Sequence, residues 1–86
     1  MAKQMPASDE QDGRVLTADR RQEILDELEY YPAVSQVRFG EEQVRIVLGP
    51  GADKAYRKKL IGFMLTSFEY LLFQTLQHRV IYFAAR

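Results

Sequence analysis

The longest apolar run in the chain lies between Lys54 and Leu76, KAYRKKLIGFMLTSFEYLLFQTL, where Glu69 is the one charge after Lys59. At 100° per residue, Leu60, Ile61, Met64, Leu65, Phe68, Leu71, Leu72 and Leu76 fall on one broad arc, so the stretch predicts a single long central helix with that arc facing a core. Tyr56, Phe63 and Tyr70 recur every seven residues beside the arc. A half-exposed helix does not need this second stripe, and a second partner for the helix is expected. The back carries Gly62 and Thr66, a small pair suited either to close helix approach or to solvent. The apolar part is shorter than the roughly 20 residues needed to cross a bilayer and contains Glu69, which favours a buried helix over a membrane span.

Upstream, Ile24, Leu25, Leu28 and Tyr31 share one face of a shorter helix, which Thr17 or Asp19 can cap and Pro32 ends. Val34 to Phe39 and Gln43 to Leu48 then read as a hairpin about Gly40-Glu41, with Phe39 facing Glu42 and Val37 facing Val44. Its core face is Val37, Phe39, Val44, Ile46 and Leu48; Gln36, Arg38, Gln43, Arg45 and Val47 form the other. After the breaker Gly49-Pro50-Gly51, Asp53 can cap the long helix. The closing run Arg79 to Ala85 is β-branched and aromatic, apolar on both faces, and reads as a strand central in the sheet or covered on both sides. Met1 to Gly13 is polar and has too little apolar surface to order itself, while Val15-Leu16 suits either a short edge strand or packing beside a helix start.

The expected fold is therefore α+β: a small antiparallel sheet of three strands, four if Val15 counts, with two helices on one face, in the order (β)αββαβ. Residues 14–86 form one domain after a disordered segment 1–13. Counting Val15 would give a split β-α-β, ferredoxin-like arrangement. No internal repeat is expected.

Composition narrows the function classes. With 86 residues and 47% hydrophobic content the chain can bury one modest core, and dimerisation would enlarge it. The absence of cysteine excludes disulfides, thiolate metal sites and a cysteine nucleophile. Met1 to Gly13 lacks the apolar segment of a secretory signal, so a cytoplasmic location is expected. The net charge is zero, yet Met1 to Asp53 carries eleven acids against six bases and Lys54 to Arg86 one acid against six bases. The halves are complementary, at −5 and +5.

Few residues suggest chemistry. Lys54, Arg57, Lys58 and Lys59 around Tyr56 could contact phosphates, or be neutralised by Asp26, Glu27 and Glu29 of the first helix, or be solvated. Arg38 and Arg45 share the hairpin's outer face, where the last strand could add Tyr82 or Phe83 as stacking surfaces. Glu69 borders the polar back of its helix and His78 sits at the expected helix end, so neither marks a site alone. No catalytic residues, cofactor or metal site are expected. The leading expectation is a small non-catalytic protein–protein interaction module, a homodimer or a binder of another protein, using Tyr56, Phe63, Tyr70, Tyr82 and Phe83. The alternative is nucleic-acid binding through Arg38, Arg45, Lys54, Arg57, Lys58 and Lys59.

Overall fold

Two helix starts anchor the architecture. Leu16 is buried, and the extended residue after it, Thr17, accepts a hydrogen bond from the Arg20 N–H at 3.2 Å, opening α1 (Ala18–Leu28). Ala52 is likewise buried, and Asp53 accepts from the Tyr56 N–H at 2.8 Å, opening α2 (Lys54–Ser67). Both caps are among those expected. The structure, a computed structural model, describes residues 16–86, so the expected disordered segment and Val15 lie outside the described residues.

Each helix leads into a hairpin: β1 (Val34–Phe39) with β2 (Gln43–Leu48), and β3 (Leu71–Gln77) with β4 (Val80–Ala85). The sheet order is β1-β2-β4-β3 and every pairing is antiparallel. Both helices cover the same face. Ile24 and Leu28 of α1 and Leu60 and Met64 of α2 are buried with Val44, Ile46 and Leu48 of β2 and Ile81 and Phe83 of β4, whereas Arg45, on the opposite face of β2, is exposed. The α+β class, the two helices and the antiparallel sheet agree with the sequence expectation.

The fourth strand is not where the sequence placed it. Helix α2 ends at Ser67 instead of running to Leu76, and the remainder of the apolar run becomes β3. Thr66-Ser67 are poor helix formers, and Phe68 turns to an extended conformation (φ −126°, ψ 91°) that buries its ring. The helix-like spacing of Leu71, Leu72 and Leu76 arises from a bulge: the register with β4 shifts between Phe73 and Thr75, so Gln74 is an extra residue. Leu71, Phe73 and Leu76 share the core side although their spacing is not a strict alternation.

In the first hairpin the pairing is Phe39 with Val44 and Val37 with Ile46, and the Gly40 N–H donates to the Gln43 carbonyl at 2.7 Å. The turn is thus Glu41-Glu42, not Gly40-Glu41. The register moves by an even number, so every side chain keeps its expected face, and apolar residues now oppose apolar ones while both carboxylates stand in the turn.

An internal two-fold relation underlies the fold. The α-β-β order occurs twice, and Ile24 and Leu28 correspond to Leu60 and Met64, 36 residues on. Arg21 Nε donates to the Leu16 carbonyl at 2.8 Å, and at the equivalent place Arg57 donates to the Ala52 carbonyl at 3.4 Å. The central pairs match too: Val44 with Phe83 maps onto Ile81 with Ile46.

The β3–β4 turn is tight, with Gln77 paired to Val80 and His78 at φ 57°. Left-handed backbone costs a residue with a Cβ about 1–2 kcal/mol, against which glycine's extra chain entropy is about 0.5–1 kcal/mol. His78→Gly is therefore expected to stabilise the chain by about 0.5–1 kcal/mol, a rise of a few degrees in Tm. A lower Tm in a thermal melt would mean that the imidazole contributes more than the strain removes.

Candidate functional site

With both helices on one side, no element among the described residues covers the sheet's other face, the open face, and the register lays it out in rows. One row crosses all four strands as Arg38, Arg45, Tyr82 and Thr75; its neighbours are Gln36, Val47, Val80 and Gln77 on one side and Gln43, Ala84 and Leu72 on the other. Arg38 and Arg45 are directly opposed. The Arg45 guanidinium lies over the Tyr82 ring, 5.6 Å from its centroid. Gln43 Nε2 donates to Gln74 Oε1 at 3.0 Å, reaching past β4 where its side chain is only that of Ala84. No carboxylate stands in these rows. The nearest acids in sequence, Glu41 and Glu42, belong to the β1–β2 turn.

A second surface lies along the edge of β3. Leu72 on the open face is 50% exposed, Phe73 and Leu76 on the helix side are 36% and 37% exposed, and Leu65 of α2, the helix packed on β3, is 40% exposed. The whole strand, LLFQTLQ, is uncharged. Among the described residues its backbone pairs with β4 on one side only. Sequence reasoning missed this edge because it placed the same residues inside a helix; the signal available was the pair of polar residues, Gln74 and Thr75, in the middle of the run.

The aromatic stripe expected to face a partner is occupied within the chain. Tyr56 and Phe63 both contact Tyr31, at 6.0 and 5.2 Å between centroids, Phe63 contacts Phe68 at 6.4 Å, and Phe68 contacts Tyr70 at 5.7 Å. This row joins the two helices. Its ends are fixed by polar contacts: Tyr56 Oη accepts from the Ala33 N–H at 3.2 Å, and Tyr70 Oη donates to Glu23 Oε1 at 2.9 Å beneath the Arg20 guanidinium. Burial first, then the hydrogen bond and the charge of Glu23, push the Tyr70 phenol far above its usual pKa, with Arg20 pulling weakly the other way. Phe83 is fully buried, and of the expected interface residues Tyr82 alone lies on the open face.

The basic residues divide. Arg38 and Arg45 are on the open face, whereas Lys54, Arg57, Lys58 and Lys59 are at the start of α2 on the helix side. The end of α1 does meet the start of α2, but through Tyr31 and Tyr56; among the described residues those four bases form no ion pair with the α1 acids. Gly62 and Thr66 are exposed and belong to the solvent side of α2. Glu69 is exposed in the turn before β3, and His78 sits in a strand turn instead of at a helix end.

Among the described residues no group of three or more His, Cys, Asp or Glu is placed to hold a metal ion, and no helix is long and apolar enough to cross a membrane. Comparison of the chain with protein-family models, with curated proteins and with solved structures finds no match.

Proposed function

We propose that this chain is a small non-catalytic interaction module that associates with a second copy of itself along the open edge of β3. The observation that carries this reading is the exposure of Leu72, Phe73 and Leu76 along an edge strand that is uncharged and, among the described residues, paired on one side only. Proteins usually blunt such edges with lysine, proline or an inward-pointing charge, because free N–H and C=O groups beside apolar side chains recruit another strand. Apart from the bulge at Gln74, β3 has none of these, whereas the opposite edge strand, β1, carries Arg38.

A two-fold axis beside β3 sets the strand antiparallel to its own copy, so that one patch meets itself, the commonest geometry among soluble oligomers. The result is one sheet of eight strands, four from each copy. Sedimentation equilibrium from micromolar to millimolar concentration is expected to give a monomer–dimer equilibrium. The double variant Leu72→Lys, Leu76→Lys, with both changes at partly exposed positions, is expected to sediment as a folded monomer. A wild-type chain that stays monomeric throughout that range would remove self-association and leave a different protein as the occupant of the edge.

A further inference from the structure

From the open face of the sheet, independently of the β3 edge, we infer a binding site for single-stranded nucleic acid. Arg38, Arg45 and Tyr82 stand side by side in one row, flanked by glutamines and small or aliphatic side chains, and among the described residues no carboxylate shares these rows.

Three observations converge on this occupant. Opposed like charges on neighbouring strands destabilise a sheet, yet Arg38 and Arg45 are directly paired and exposed, with no acid in the surrounding rows to offset them. An anion lying across the row supplies the missing charge. Beside them, the Tyr82 ring carries the Arg45 guanidinium at 5.6 Å, while its neighbours toward β3 and along β4, Thr75 and Ala84, are small. A base can stack on the ring or on the guanidinium plane, as unpaired bases do on aromatic and arginine side chains.

The third observation is the composition around the row. Gln36, Gln43 and Gln77 with Thr75 offer donors and acceptors to base edges, and Arg38, Gly40, Gln43 and Arg45 border a shallow pocket at the β1–β2 end of the face. A membrane surface would call for lysines beside an apolar wedge, and an acidic peptide would have no use for the ring. The combination of charge, planar stacking surface and amides fits a flexible phosphate chain with unpaired bases. A duplex, whose bases are already stacked, cannot use the ring.

Fluorescence anisotropy of a labelled oligo(U) with the full chain tests the inference. Wild type is expected to bind at about 50 mM salt and to weaken by roughly sevenfold by about 200 mM if Arg38 and Arg45 make the phosphate contacts. Arg38→Gln and Arg45→Gln are each expected to flatten the log–log salt dependence by about 0.7, the loss of one phosphate contact on a single strand. Tyr82→Leu is expected to weaken binding on the order of tenfold with the salt slope unchanged, since it removes stacking and no charge. Arg38→Gln should at the same time leave Tm unchanged or higher, because it relieves the opposed charges; this separates loss of binding from loss of fold.

Four results would overturn the inference: no binding at low salt; binding untouched in the Arg38→Gln, Arg45→Gln double variant; binding lost instead in Lys58→Gln, Lys59→Gln; or equal displacement of the oligonucleotide by polyglutamate, anionic vesicles or duplex RNA.

Discussion

Phe83→Ala is expected to cost about 3–5 kcal/mol, which removes most of the stability of a chain at the low end for small domains, about 5 kcal/mol. Phe83 has no exposed surface, lies on the central strand β4, pairs with Val44 of β2 and meets Phe73 of β3 edge-to-face with ring centroids 6.0 Å apart. Its ring therefore joins the two hairpins at the seam between the repeated halves. Truncation removes the transfer free energy of the ring and leaves a cavity that a rigid four-stranded sheet cannot close. Urea unfolding followed by circular dichroism measures the loss, with Tyr30→Ala, at a residue 79% exposed, as the control expected to stay within about 0.5 kcal/mol. A loss below 1 kcal/mol for Phe83→Ala would be incompatible with this core.

The same position marks where sequence reasoning succeeded and where it stopped. The two faces of the first hairpin were legible because side chains alternate with period two and any even register shift preserves the faces; the wrong turn residues still gave the right core set of Val37, Phe39, Val44, Ile46 and Leu48. Face assignment is robust, whereas turn placement depends on one residue. In β3 the logic reversed. An inserted Gln74 broke the alternation of the strand, and Phe68, Leu71, Leu72 and Leu76 fitted the i, i+3, i+4 spacing of a helix, although Tyr70 and Phe73 fell outside that arc. Only the competing needs of the whole sheet distinguish the two: without β3, the second half of the molecule would have no hairpin to match the first, and β4 would be an edge.

The candidate surfaces followed from that error. With the helix ending at Ser67, Tyr56 and Phe63 remain on α2 and Tyr70 moves to the turn after it; all three are half-buried and in ring contact with Tyr31 or Phe68. Arg38 and Arg45 were legible individually, because strand alternation fixes their face, whereas the last strand is apolar on both faces and left Tyr82 and Phe83 as alternatives. The alignment of Arg38, Arg45 and Tyr82 in one row was not legible, because it needs the β2–β4 pairing, a contact between residues distant in sequence. The repeat was hidden for a similar reason: Thr17 and Asp53, Leu16 and Ala52, Ile24 and Leu60 play equivalent parts with different side chains, since capping and burial accept several residue types.

Leu16 provides the second large effect. Its side chain is 1% exposed, its N–H donates to the Glu41 carbonyl at 2.9 Å and its carbonyl accepts from Arg21 Nε at 2.8 Å. Arg21 in turn donates to the Gly40 carbonyl at 3.3 Å and lies 5.6 Å from the Phe39 ring centroid. Leu16, two residues ahead of α1, thus ties that helix to the β1–β2 turn, and its side chain fills the core beneath both. Leu16→Ala keeps the backbone bonds but empties that space, and is expected to cost about 2–4 kcal/mol, within the range for buried leucine. A chain beginning at Arg14 is expected to melt within about one degree of the full chain, because the polar residues before it have little apolar surface to bury. Thermal melts of the two variants side by side separate the effects. If the shorter chain lost as much stability as Leu16→Ala, the core would have to extend into residues before Arg14, and Leu16 would not be where it begins.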